Sequence, residues 1–189
     1  MSEVQPGDFI IPLSQCATVS QDETLYDAVV AMEATRLLYQ RWDYRPRLIL
    51  VHDEDIQIVG TVRHFELLEA MEPGYKQLGG LRALSGASAP KEFWDSVREK
   101  YGLWADPFPE LCLNASKLKI TEVMRKPSES EYMSKEASFG EVIHRMLAYN
   151  HPSLLVTESS QVIGVLRMSD IANHAINEMG RLREAKASG

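Results

Sequence analysis

Cysteine is scarce: the 189 residues hold two, Cys16 and Cys112. Two thiols make neither a disulfide framework nor, alone, a zinc site. Neither has a histidine at motif spacing, so each reads as an inert, partly buried thiol in a reduced, cytoplasmic protein. Eleven Gly and nine Pro are too few for a collagen-like or Pro-rich fibre. No apolar run approaches the roughly 20 residues of a membrane helix, so no membrane partner is expected. The start, Met1-Ser2-Glu3-Val4-Gln5-Pro6, lacks the basic flank and apolar centre of a secretion signal. Positive charge is also short. Twenty Lys and Arg face 27 Asp and Glu, a net charge of −7, and the pI is about 5.3. That balance disfavours nucleic acid, whose binding draws on clustered Lys and Arg. It leaves room for a small anion, which a few local Arg hold against an unfavourable global field.

Catalytic constellations are missing as well. There is no Gly-x-Ser-x-Gly elbow, no His-Glu-x-x-His and no Gly-rich phosphate loop followed by Lys, and the sequence reads as a non-enzyme. His52-Asp53-Glu54-Asp55 holds metal-ligand types, but acids are common at a strand-to-strand turn without a metal. What is present is ordinary globular material. Hydrophobic residues make up 44% and charged ones 25%, which argues against a disordered chain. A mass of 21.3 kDa suits one domain or two very small ones.

The chain repeats itself. Residues 18–29 align with residues 132–143. In each copy a short strand-like stretch, Thr18-Val19 or Tyr132-Met133, leads to a hydroxyl residue, Thr24 or Ser138. An acid follows three places on, Asp27 or Glu141, the pattern of a helix capping box. Apolar residues then recur at helical spacing: Leu25, Ala28, Val29 and Met32, against Phe139, Val142, Ile143 and Met146. A strand led by proline comes next, Pro46 to Val51 and Pro152 to Val156, then a polar turn. After it come Ile58 to Glu66 and Val162 to Asp170. A closing amphipathic helix carries Phe65, Leu68 and Met71 in one copy, and Ile171, Ala175, Ile176 and Met179 in the other. Each copy therefore predicts strand–helix–strand–strand–helix, with about eight extra residues around Leu37 to Arg45 in the first.

Between the copies, Glu72 to Thr121 carries Phe93, Trp94, Tyr101, Trp104 and Phe108, too aromatic for a solvated tether. Pro90 to Gly102 predicts a helix with Phe93, Trp94, Val97 and Tyr101 on one side. Pro107-Phe108-Pro109 predicts an extended turn, and Leu84 to Ala89 a mobile tip. The aromatic residues are expected to pack on the module. The organisation read here is a first repeat over 1–71, a structured insert over 72–121, and a second repeat with its C-terminal helix over 122–189.

With these residues in view, each copy resembles a cystathionine-β-synthase (CBS) domain, and the pair resembles a Bateman module. The likeness rests on the stretch before the capped helix and on the Pro-led strand. It rests also on Gly-x-x-Arg-x-x-acid at the last strand-to-helix turn: Gly60, Arg63, Glu66 and Gly164, Arg167, Asp170. The resemblance implies an α/β (α+β) fold, with two such repeats packed about a pseudo-twofold axis and a helical, aromatic insert between them. It implies clefts that take adenosine compounds (AMP, ADP, ATP or S-adenosylmethionine), with no required cofactor. It implies that the acid opening the last helix, Asp170 or Glu66, holds the ribose hydroxyls, with Met168 and Ser169 beside Asp170. Tyr132, Met133, Thr18 and Val19 on the leading strands, and Pro152, Ser153 and Pro46 on the Pro-led strands, would flank the adenine. Arg167 and Arg63 stand where the family usually has a hydroxyl. An Arg there binds phosphate by paired hydrogen bonds, or fills the cleft. His64 and His151 lie next to these positions.

Both readings of the turn stay open on sequence alone. A carboxylate opening a helix is favourable without any ligand. Gly60 and Gly164 mark a close approach, whether of a ligand or of packed backbone. The reading carried forward is a stand-alone regulatory module that binds an adenosine nucleotide and signals to an unidentified regulated protein. The alternative is a structural, dimerising module with no nucleotide. An enzyme built around Trp94, Trp104 and Asp106 is a third class. The long apolar faces of the closing helices, Leu67, Leu68 and Met71 in one and Ile171 to Met179 in the other, predict a homodimer.

Overall fold

Local chemistry sets the elements. The computed structural model describes residues 4–39, 48–77, 90–103 and 105–187. Pro46, Trp104, the Leu84 to Ala89 tip and most of the extra residues before the first Pro-led strand lie outside them. A two-residue strand, β1 (Ile11–Pro12), precedes the first repeat, which runs β2 (Ala17–Ser20), α1 (Leu25–Leu38), β3 (Leu48–His52), β4 (Ile58–Arg63) and α2 (His64–Met71). The insert holds α3 (Gly74–Gln77), α4 (Lys91–Tyr101), α5 (Phe108–Ser116) and α6 (Ile120–Val123). The second repeat runs β5 (Tyr132–Ser134), α7 (Phe139–Ala148), β6 (Ser153–Glu158), β7 (Gln161–Arg167) and α8 (Met168–Ala187). Both copies thus follow strand–helix–strand–strand–helix, in a mixed fold of helices and two small sheets.

The caps form as the spacing predicts. Thr24 Oγ1 accepts the Asp27 N–H at 3.3 Å, and Asp27 accepts the Thr24 N–H at 2.9 Å. Ser138 Oγ accepts the Glu141 N–H at 3.3 Å. Hydrogen bonding to Thr24 holds the Asp27 carboxyl below its ordinary range.

The chain forms two compact units: Ala17–Lys126, and Met1–Cys16 together with Pro127–Gly189. In the first unit, β2 runs parallel to β3, which pairs antiparallel with β4. Its core gathers Val19, Leu25, Ala28, Ile49, Val51, Val62 and, from the insert and the residues just after it, Ala115, Ile120 and Val123. In the second unit the sheet order is β1-β7-β6-β5, over a core of Met133, Val142, Met146, Leu154, Val156, Leu166 and Ile171. Strand β2 alternates buried with more exposed residues, whereas β3, β4, β6 and β7 each bury three residues in a row, as strands covered on both faces do.

Each sheet gains an edge from a segment that sequence periodicity passes over. Thr61 and Arg125 exchange two backbone hydrogen bonds of 2.9 Å, so the chain after α6 joins β4. In the other unit, β1 joins β7 in the register Ile11 to Val165 and Pro12 to Gly164. This decides the role of both glycines. A methyl group on Gly60 would strike the Met124 side chain, and one on Gly164 would strike the Ile11 carbonyl and the Ile10 side chain. The close approach at each glycine is made by protein backbone and side chains.

The insert departs from expectation in one place. Helix α4 forms as read and ends on Gly102, whose φ of 62° is the left-handed cap that glycine adopts without a Cβ penalty. Val97 and Leu103 are buried there, against Phe93, Trp94 and Tyr101. Pro107-Phe108-Pro109, however, opens α5 instead of an extended turn. Pro107 is the N-cap and Pro109 sits in the first turn, where a missing N–H is no loss and the fixed φ suits a helix. Phe108 stays 68% exposed, against the expectation that it packs.

The thiols differ from each other. Cys112 is exposed, against the partly buried reading, while Cys16 is half-buried. Burial pushes the Cys16 thiol up to about 12, partly opposed by the charge of Arg167, so almost no reactive thiolate exists at neutral pH.

Candidate functional site

The last strand-to-helix turn of each repeat brings an arginine onto the acid three residues on. At the end of β7, Arg167 donates Nε to Asp170 Oδ2 and Nη2 to Asp170 Oδ1, both at 2.7 Å. The two side chains are 17% and 20% exposed. This is a fork-to-fork pair, with two parallel charge-assisted hydrogen bonds. Its formation follows from local geometry: the strand ends at Arg167, the helix begins at Met168, and Asp170 lies in the first helical turn, where a carboxylate meets the positive end of the helix dipole.

The first repeat builds the same pair with longer side-chain bonds and an added backbone contact. Glu66 Oε2 accepts the Arg63 backbone N–H at 2.9 Å and Nε at 3.4 Å, while Oε1 accepts Nη2 at 3.2 Å. Arg125 Nε lies 3.9 Å from Oε1. The Glu66 side chain is only 8% exposed. Burial pushes its carboxyl up, but hydrogen bonds from the Arg63 side chain and backbone, and the charge of Arg63, outweigh this and hold it below the ordinary carboxylate range. Glu66 is thus a buried helix-capping acid between two cations, while Asp170 remains reachable from solvent.

The other expected site residues lie on the same sheets, Ser153 nearest the turn and Tyr132, Met133, Thr18 and Val19 farther along the strands. Around Asp170, Ser153 lies opposite Arg167 in the ladder, and the Met168 N–H donates to the Pro152 carbonyl at 2.9 Å. Tyr132 starts β5 opposite Leu155, and its carbonyl accepts Arg145 Nη1 at 3.0 Å. Burial, and then the charge of Glu131, push the Tyr132 hydroxyl up. Met133 is in the core, and its carbonyl accepts Thr157 Oγ1 at 3.0 Å. Met168 and Ser169 are half-buried. His151 Nε2 and Ser130 Oγ share a hydrogen bond of 2.8 Å, and the imidazole stacks on Tyr149 at 5.8 Å. In the other unit, Thr18 is exposed and Val19 is a core residue on β2, with Arg63 at the end of β4. His64 is exposed on α2.

The remaining candidates resolve into structural roles. Asp53 Oδ1 accepts the backbone N–H groups of Asp55 and Gln57 at 3.0 and 2.8 Å, so it organises its turn. Among the described residues, no group of three or more His, Cys, Asp or Glu is placed to hold a metal. Trp94 stacks edge-on against Phe93 at 5.3 Å, in the insert's own small core. Asp106 lines a cavity of about 300 Å³ with Met71, Tyr101, Leu111, Asn114 and Leu118, where the described lining residues offer no nucleophile–base pair. No described helix is long and apolar enough to cross a membrane.

A strand–helix–strand–strand–helix repeat closed by this turn, and present twice, defines a class, and comparison with known proteins names it. Residues 120–177 match the family model of the CBS domain, so the second repeat is a CBS domain. The solved structures that the chain resembles include CBS-domain and CBS-pair proteins. Against CBSX2 from Arabidopsis thaliana the TM-score is 0.56 at 14% identity, covering 94% of this chain and 98% of that one. A further CBSX2 structure is a complex with AMP. Against a putative acetoin utilization protein (AcuB) from Vibrio cholerae the TM-score is 0.55 at 18% identity, covering 97% and 98%. A protein from Methanocaldococcus jannaschii gives 0.55 at 16% identity, and the chain spans 60% of its length while 92% of this chain is covered. No curated protein matches the chain in sequence. At these identities the likeness establishes the fold, which is that of a CBS-domain pair.

Proposed function

We propose that the protein is a regulatory module that binds an adenosine nucleotide of the AMP, ADP or ATP class at the turn into α8 and passes the binding event to a partner protein. The observation that carries this reading is the solvent-reachable Arg167–Asp170 pair. It places a carboxylate that accepts ribose hydroxyls beside a guanidinium that binds phosphate, at the turn where the resemblance puts the nucleotide. The AMP complex of CBSX2 supports the choice of ligand. Asp170 is favoured over Glu66 because the latter is buried and already capped by the Arg63 backbone.

A thermal-shift screen with AMP, ADP, ATP, NADH and S-adenosylmethionine tests the reading. A ligand at a hundred times its dissociation constant adds about 2.7 kcal/mol of stability, which for this chain length is roughly 5–10 °C. A shift with AMP or ATP is the expected result. No shift with any adenosine compound at millimolar concentration leaves the structural, dimerising reading in its place, with the two Arg–acid pairs as plain helix-end ion pairs.

We also propose a homodimer. Leu68 on α2 and Ile176 and Met179 on α8 are 62%, 64% and 69% exposed. Leaving that much apolar surface in water is unfavourable on a monomer, and covering it with a second copy satisfies both helices under twofold symmetry. Light scattering should give twice the 21.3 kDa of one chain. A monomer mass at micromolar concentration contradicts the dimer.

A further inference from the structure

The insert and the closing helix of the first repeat enclose the cavity of about 300 Å³ that Asp106 lines. All of its described lining residues belong to one compact unit, and neither Arg–acid pair is among them. Its walls come from the end of α2, the start of α3, the end of α4 and one side of α5. The junction of α3 and α4 is close: a methyl group on Gly74 would stand 2.6 Å from the Leu103 side chain and 3.0 Å from the Tyr101 carbonyl. The volume is at the small end of the range for small-molecule pockets.

The chemistry of the lining is one-sided. Met71, Leu111 and Leu118 form an apolar wall. Asp106 and Glu72 bring carboxylates, and no Lys, Arg or His is among the described lining residues. Met71 and Tyr101 are the last residues of α2 and α4, so the negative ends of two helix dipoles border the same space. Among the described residues, the Asp106 carboxylate, the Asn114 side-chain amide and the Tyr101 hydroxyl have no hydrogen-bond or ion-pair partner. The Tyr101 ring is already in use, with Lys100 Nζ 5.4 Å from its centroid. An anion entering here meets two carboxylates and no lining cation. A plain hydrocarbon displaces water from the polar groups and gives them nothing in return, which costs affinity. An ammonium group on a short hydrocarbon suits both sides of the cavity. Its N–H groups donate to Asp106 and to Asn114 Oδ1, while its carbons lie on the apolar wall.

We propose that this cavity binds a small primary amine in its ammonium form, with Asp106 as the charge partner and Met71, Leu111 and Leu118 as the seat of its hydrocarbon. The ligand is opposite in charge to the nucleotide proposed at Asp170, and the two sites share no residue. Because α2 closes one side and the insert the other, an occupied cavity ties the insert to the first repeat.

The test is titration of the full chain with three probes of matched size, phenethylammonium, phenethyl alcohol and phenylpropionate, followed by amide chemical shifts. No nucleotide is added, so the outcome is separate from the reading at Asp170. The ammonium should bind more tightly than the alcohol by about threefold to fivefold, the scale of a solvent-exposed charge pair, and the propionate should bind weakest. The largest shifts should fall around Met71, Asp106 and Leu111. Asp106→Asn keeps the shape and removes the charge, so it should bring the ammonium down to the affinity of the alcohol and leave the alcohol unchanged. Thermal melts establish that the variant is folded. In wild type the ammonium preference should also shrink as salt is raised, because an exposed pair is screened, and this arm needs no variant. Equal binding of ammonium and alcohol, a folded Asp106→Asn variant that keeps the preference, shifts that gather elsewhere, or no binding of any probe at millimolar concentration each overturns the proposal.

Discussion

Replacing Gly164 with alanine is expected to lower the stability of the protein by about 3 kcal/mol, near the upper end of ordinary overpacking costs. At this chain length that corresponds to a melting point roughly 6–12 °C lower. Gly164 lies on β7 where Pro12 of β1 pairs with it, and an added Cβ meets the carbonyl of Ile11 and the Ile10 side chain. A backbone carbonyl in a ladder has no rotamer to retreat into. Relief therefore means undocking β1, which gives up its hydrogen bonds and uncovers the β7 edge. Gly60 offers a control at the matching position of the first repeat. There the obstacle is the Met124 side chain, a flexible thioether that repacks at low cost. Gly60→Ala is expected to cost about 1 kcal/mol, at the low end of the same range. Differential scanning calorimetry of the two variants decides. Equal losses, or a larger loss at Gly60, contradict the view that β1 is held against Gly164 by backbone contact.

Asp170→Ala is expected to remove most nucleotide affinity. The variant takes away the acceptor for the ribose hydroxyls, leaving sugar donors desolvated without a partner at about 1–3 kcal/mol, which is roughly 5- to 150-fold in the dissociation constant. It also leaves the Arg167 cation without its fork partner, so stability drops as well, by about 1 kcal/mol for a partly exposed pair. Glu66→Ala should act differently. Its carboxylate is buried among Arg63 and Arg125, so the expected result is a stability loss of about 3 kcal/mol, as when one member of a buried pair is removed, with nucleotide affinity close to wild type. Calorimetric titration with AMP separates the two. Unchanged affinity in Asp170→Ala together with lost affinity in Glu66→Ala would place the ligand at the other turn.

Much of this fold was legible in the sequence, for a physical reason. Helix caps and strand-to-helix turns are built by residues three apart, so Thr24 with Asp27 and Ser138 with Glu141 announce their helices without tertiary information. Repetition doubled each signal. The acid at the last turn was legible as a residue type, but the Arg–acid fork was not, because the sequence left Arg63 and Arg167 open between holding a phosphate and filling the site. The meaning of Gly60 and Gly164 was out of reach for a different reason. Their partners, Met124 and Ile11, are 64 and 153 positions away along the chain, and no local pattern reports such a crossing. Helix α5 was misread because Pro-Phe-Pro carries two opposed signals: proline pushes the residue before it to extended backbone, yet favours the first turn of a helix that follows.

The apolar faces teach a related point. Val29 and Ile143 share the helical spacing of their buried neighbours, yet both stay exposed, at 36% and 43%. Ala28 and Val142 take the core-facing positions beside them. Spacing fixes which residues lie near one face of a helix, whereas the depth of each is set by the sheet beneath.

The most direct measurement is a crystal structure of the protein grown with AMP. The account predicts a nucleotide whose ribose hydroxyls sit on Asp170 and whose phosphate is held by Arg167. AMP absent from this turn, or bound elsewhere, at saturating concentration would contradict it.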